Sequence, residues 1–245
     1  MTTSHAIHRF ASIATKPFVL IMLWVATILV IDPLSLWEHI QNSANPYIFT
    51  DDVRQQIWPL FKWQDPALFP DDYIASYYLD AYMPRGYVIF FGAVSWVADL
   101  EVISKILPYL DYLIVLLAVA VASWKIGKGA ACWGSVVLYL GTGVILMDMM
   151  GGLPRSFGYP IVSISVLGLV LGRPWLLVLA TLVGGAFYYV GSVVSGLALA
   201  IYLLLFPKRW RGLDDRWTLK RRVLVVALTG VSAIILVSPG LFAGA

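Results

Sequence analysis

The sequence predicts an all-α fold class: a polytopic transmembrane helical bundle of about seven spans, with a long extracytoplasmic first loop of interfacial helices. Three observations predict it. Only 13% of the 245 residues are charged and 60% are hydrophobic, whereas an ordinary soluble domain is roughly 25% charged. Several apolar runs approach or exceed the ~17–20 residues that cross a hydrocarbon core. The connections between runs alternate in their content of Lys and Arg, as expected when cytoplasmic loops keep the positive charge.

Residues 1–17 carry His8, Arg9 and Lys16 and read as a cytoplasmic N-terminus. The apolar run Phe18–Ile31 follows. It is similar to a signal peptide, but "IDPLSLW" stands where a small-residue cleavage site belongs, so an uncleaved anchor is expected. Residues 32–106 form the long loop. It is acidic up to Arg85 and rich in Trp and Tyr, which favour the headgroup level. Pro46, Pro59, Pro66, Pro70 and Pro84 punctuate its short helices. The run from Gly86 to Ala98 is too short for a comfortable span. Treating it as interfacial or re-entrant keeps Lys125 and Lys128 inside.

Residues 107–206 form the helical bundle. Leu107–Trp124 runs inward to Lys125 and Lys128, Ala130–Met149 returns outward to "GGLPRS", and Phe157–Leu171 runs in again to Arg173. Pro174 to Phe206 is about twice one span. It divides into two short helices at Gly184, Gly185 and Gly191, which flank "FYYV". Residues 207–222, "PKRWRGLDDRWTLKRR", form a basic cytoplasmic loop, and 223–240 hold the last span. The whole chain thus reads as a single membrane domain. No repeat or low-complexity tract is visible.

Cys132 is the single cysteine, so an intrachain disulfide is excluded, and His5, His8 and His39 have no metal-ligand spacing. The net charge of +3 resides in short connections that topology explains, so nothing points to nucleic acid.

Two readings stay open for Asp51 and Asp52 in "TDDVRQQIW". Asp is a favoured N-cap, and Asp52 with Gln55 has the spacing of a capping-box variant. The same helix start would bring Asp52, Gln55 and Gln56 to one face near the membrane surface. A carboxylate there could serve as a general base, orient a sugar, or bind a divalent cation together with a phosphate. Asp71 and Asp72 follow Pro70 and read more simply as a cap. Asp214 and Asp215 offset neighbouring arginines. Arg155 either anchors a helix end by snorkelling or binds a lipid phosphate bidentately. Asp111 and Asp148 fall near the outer ends of spans and could face the same cavity as Asp51. Tyr188 and Tyr189 would line it too, or belong to an aromatic belt.

In these features the chain resembles the GT-C superfamily of membrane glycosyltransferases. The resemblance rests on one span followed by a long acidic outer loop, and on "TDDVRQQIWPLFKWQDPALFPDDYIASYY", "MPRGYVIFFGAV", "SKILPYL" and "GGLPRSFGYP", which look like those of a bacterial group of members. It implies transfer of a sugar from a polyprenyl-phosphate-linked donor on the outer face of a bacterial inner (plasma) membrane. It also implies that Asp51 or Asp52 is the catalytic base or ligates a divalent cation (Mg or Mn). Gln55, Arg155, Tyr188 and Tyr189 would then bind substrate. The chain is short for the superfamily and stops after its seventh predicted span, which fits a fragment or a module without activity. A non-catalytic membrane subunit or assembly factor, docking a membrane protein partner through the aromatic loop, is the alternative. A transporter comes third, since it would carry charged residues deep in its spans.

Overall fold

A computed structural model describes residues 41–45, 47–49, 51–68, 70–141, 143–206 and 217–242, together with Met22 and Ala26. The expected cytoplasmic N-terminus, the first span Phe18–Ile31 apart from Met22 and Ala26, the three histidines and the Asp214–Asp215 pair lie outside the described residues. All regular structure among the described residues is helical.

The loop region does form short helices. Helix α1 spans Asp51–Ile57 and runs directly into a 3₁₀ turn, Trp58–Trp63, with Pro59 as its second residue. Helix α2, Tyr73–Tyr77, continues as a π-helical turn, Tyr78–Tyr82, and α3 spans Arg85–Val94. At ten residues α3 is about 15 Å long, half of a hydrocarbon core. Tyr87, Val88 and Phe91 of α3 pack with Val53, Ile57 and Leu60 onto Leu100, Ile103 and Leu107. The loop helices are therefore seated on the first long helix by a buried apolar cluster.

That long helix, α4, spans Leu100–Gly141 and folds back on itself at Gly127 and Lys128. The reversal is proved by Tyr112 and Tyr139, whose rings stack with centroids 4.5 Å apart. Each phenol donates to the other's backbone carbonyl at 3.2 Å. The helix begins seven residues before the expected Leu107. Lys105 does not interrupt it, because its ammonium donates to the Asn45 carbonyl and lies over the Phe49 ring at 4.4 Å.

Helix α5, Gly143–Met149, leads through a turn to α6, Gly158–Leu171, which ends on Gly172 in the left-handed conformation. Helix α7, Pro174–Phe187, and α8, Tyr189–Ala200, are divided by Tyr188, whose backbone is extended. They pack antiparallel and very close: a Cβ on Gly184 would lie 2.4 Å from the Ser192 nitrogen. Ser192 donates to the Thr181 carbonyl at 2.7 Å, and Ser165 of α6 donates to Ser195 at 2.7 Å. Small and hydroxylated residues at the seam are how helices associate where lipid offers no hydrophobic drive.

A π-helical turn, Ile201–Leu205, follows α8, and α9 spans Leu219–Phe242. It starts four residues before the expected Val223. The Thr218 hydroxyl accepts from Arg221 N–H at 3.3 Å, and the Arg222 guanidinium donates to the Leu203 carbonyl at 3.0 Å. The Arg222 cation is thus held at the helix start, where the sequence suggested loop, and the Arg221 guanidinium lies over the Trp217 ring at 5.0 Å.

Three described helices are long and apolar enough to cross a membrane: Leu100–Leu140, Pro154–Leu171 and Leu219–Ser238. At 14 and 12 residues, α7 and α8 are about 21 and 18 Å long, short of the ~30 Å core. The contacts above also fix directions. The first arm of α4 runs parallel to α6 and α8, and antiparallel to α7 and α9. The 127–128 turn, Arg173 and Arg222 thereby share one end, opposite to Asp52, Arg155 and Tyr188.

Candidate functional site

The site starts from a turn. Gly151 and Gly152 have φ of +92° and +58°, a region that side chains adopt only under strain. There is no room for one either: a Cβ on Gly151 would lie 2.2 Å from the Val53 side chain, and one on Gly152 would lie 2.9 Å from Leu107. The tight turn seats buried Leu153 and opens a 3₁₀ turn, Pro154–Phe157. Within it Ser156 is fully buried and donates to Asp111 at 2.8 Å, so the segment is tied to α4. Its neighbour Arg155 points the other way.

Arg155 Nη2 meets Asp52 Oδ2 at 2.5 Å, joining residues 103 positions apart. Both side chains are about half exposed, at 54% and 42%. Asp52 lies inside the first turn of α1, and the next residue, Val53, is the one that abuts Gly151. The turn and the ion pair therefore lie on adjacent residues of the same contact between segments.

Arg155 also lines a cavity of about 800 Å³ between α4, α6 and α8. One wall is apolar, built from Val115, Val119 and Ala122 of α4, Val162 and Val166 of α6, and Val194 of α8. The charged groups and the tyrosines gather at one end: Asp148, Arg155, Tyr159 and Tyr188, while Ser163 of the wall donates to the Pro160 carbonyl. Tyr159 donates to Asp148 Oδ2 at 2.9 Å. Tyr188 fits there because α6 presents Gly158, where a Cβ would lie 2.9 Å from the tyrosine ring. The result is a slot with a greasy length and a charged, aromatic mouth, the shape of an amphiphile site.

The expected residues divide clearly. Asp52, Arg155 and Tyr188 are brought together. Helix α1 begins at Asp51, whose side chain lies outside the described ones, and the Asp52 carboxylate reaches Arg155. Asp52 is thus not the cap of α1, and its carboxylate is engaged across the fold. Gln55 is exposed on α1 and does not line the cavity. Tyr189, 58% exposed, lies outside the lining as well. Asp111 is buried behind Ser156, and Asp148 faces the cavity. Asp72 caps α2, accepting from Ile74 and Ala75 N–H at 2.8 and 3.1 Å.

Arg155 engages Asp52 Oδ2 and sets a positive charge beside the expected cation position, and no group of three His, Cys, Asp or Glu side chains forms among the described residues. Tyr159 and Ser156 were missed in the sequence. Tyr159 was within reach, since it stands four residues after Arg155, on one face of any helix that continues through both.

Comparisons with protein families, with curated proteins and with solved structures find no match for this chain. The functional reading rests on the site.

Proposed function

We propose that this chain is a membrane glycosyltransferase that takes its sugar from a polyprenyl-phosphate-linked donor. The observation that carries the reading is a cavity with an apolar wall, ending in a mouth where a guanidinium and a carboxylate meet at 2.5 Å. The donor's hydrocarbon lies along the valine wall, and its phosphate meets Arg155, whose planar fork matches phosphate oxygens. Asp52 sits at the rim as general base. It takes the proton of an acceptor hydroxyl as that oxygen attacks the anomeric carbon. The bond from that carbon to the phosphate oxygen breaks, the lipid phosphate leaves with the bonding electrons, and Arg155 neutralises its charge. Attack opposite the leaving group inverts the sugar.

Lys125, Lys128, Arg173 and Arg222 gather at the end opposite the mouth, which supports an extracytoplasmic mouth. Cysteines introduced at Asp71 and Lys128, both exposed, are expected to label from opposite sides of the membrane. Labelling of both from one side would break this topology.

Sugar transfer from polyprenyl-phosphate donors in membranes tests the chemistry. Asp52→Asn and Arg155→Gln are expected to abolish most of it, and full activity in both would overturn the assignment. A non-catalytic subunit is the second reading, favoured by the exposure of Tyr73, Tyr77 and Tyr82 at 90%, 54% and 55%. Stable copurification of a membrane protein partner with both variants would select it.

A further inference from the structure

A phosphate at Arg155 leaves a charge at the mouth unanswered. Arg155 is already paired with Asp52, and Asp148 adds a second carboxylate facing the same cavity. Among the described residues no Lys or His lines the cavity, and Asp111 is shut away behind Ser156. A head group that was only anionic would share its guanidinium with Asp52 and face Asp148 uncompensated, and like charges brought together select against such a ligand. The surroundings of Asp148 suit a cation instead. Tyr159 orients the carboxylate by donating to Oδ2 at 2.9 Å, which leaves Oδ1 for a ligand donor. Tyr188, at the same end of the cavity, adds an aromatic face, which attracts ammonium groups.

From this charge pattern we infer that the mouth selects a lipid whose phosphate-linked head group also carries a primary ammonium. Arg155 takes the phosphate, and Asp148 with the two tyrosines takes the amine. The inference rests on the lipid-phosphate reading above and narrows it to amine-bearing head groups.

Native mass spectrometry of the full chain in detergent, titrated with phosphatidylethanolamine, phosphatidylglycerol and phosphatidylcholine of matched acyl chains, tests it. The ethanolamine lipid is expected to bind about threefold or more tighter than either of the others, the scale of one partly exposed charge pair. Asp148→Asn is expected to erase that preference, and Asp148→Glu to keep it. Equal binding of the ethanolamine and glycerol lipids, equal binding of the ethanolamine and choline lipids, or a preference that survives Asp148→Asn would overturn the inference. Arg155→Gln separates the two layers. It is expected to weaken the ethanolamine and glycerol lipids alike. No effect on either would sink the phosphate reading, whatever the amine preference shows.

Discussion

Two Asp-Asp pairs open short helices in the same loop, and they meet opposite fates. Asp72 stands just before α2, with φ −86° and ψ 104°, and its carboxylate binds the N–H groups two and three residues on. Asp52 stands one position inside α1 and reaches Arg155, 103 residues away. The first is a local cap and needs nothing beyond its own turn. The second joins remote segments beside the place where Val53 lies against the Gly151 turn, and it meets an arginine that lines the cavity. One sequence pattern can thus end as scaffold or as site, depending on a single residue of register.

The sharpest way to break this comparison is catalytic. Asp52→Asn is expected to lower sugar transfer by at least about 100-fold, the lower end of what a general base contributes. Asp72→Asn should leave the rate close to that of the unaltered chain. Equal losses at both positions would erase the distinction.

Gly151→Ala comes next. The added methyl meets both a φ of +92° and the Val53 side chain at 2.2 Å. A cost of about 1–3 kcal/mol is expected, read as a lower melting temperature in detergent. Transfer should fall with it, since Val53 must move and Asp52 moves with it. Loss of stability with transfer retained would detach the turn from the ion pair.

Asp72→Ala is smaller, about 1 kcal/mol for a lost cap, with transfer unchanged. Smallest is the stability effect of Asp52→Asn. Its pair with Arg155 is about half exposed, and such pairs contribute no more than about 1 kcal/mol. A drop in melting temperature larger than that of Asp72→Ala would make the pair structural and weaken its catalytic assignment.

Much of the scaffold was legible from short stretches. The Asp72 cap, the reversal near Lys128 and the break within "FYYV" each depend on residues a few positions apart, and each was expected from the sequence. The starts of α4 and α9 were not. Near those starts stand Lys105 and Arg222, charges that read as loop, and both donate to remote carbonyls, at Asn45 and Leu203.

By itself, the sequence determined that the protein is helical and suited to a membrane, since scarce charge and long apolar runs leave few other ways to satisfy a backbone in lipid. It also determined where many helices cap and turn, because capping and turning are local. Tertiary structure alone decided which faces meet. Helices apolar on every side carry no amphipathic stripe to announce a partner, and their seams are chosen by small residues such as Gly184 and Ser165 that permit close approach. The choice among the aspartates, the pairing of Asp52 with Arg155, and the cavity that holds Asp148 and two tyrosines all follow from that packing.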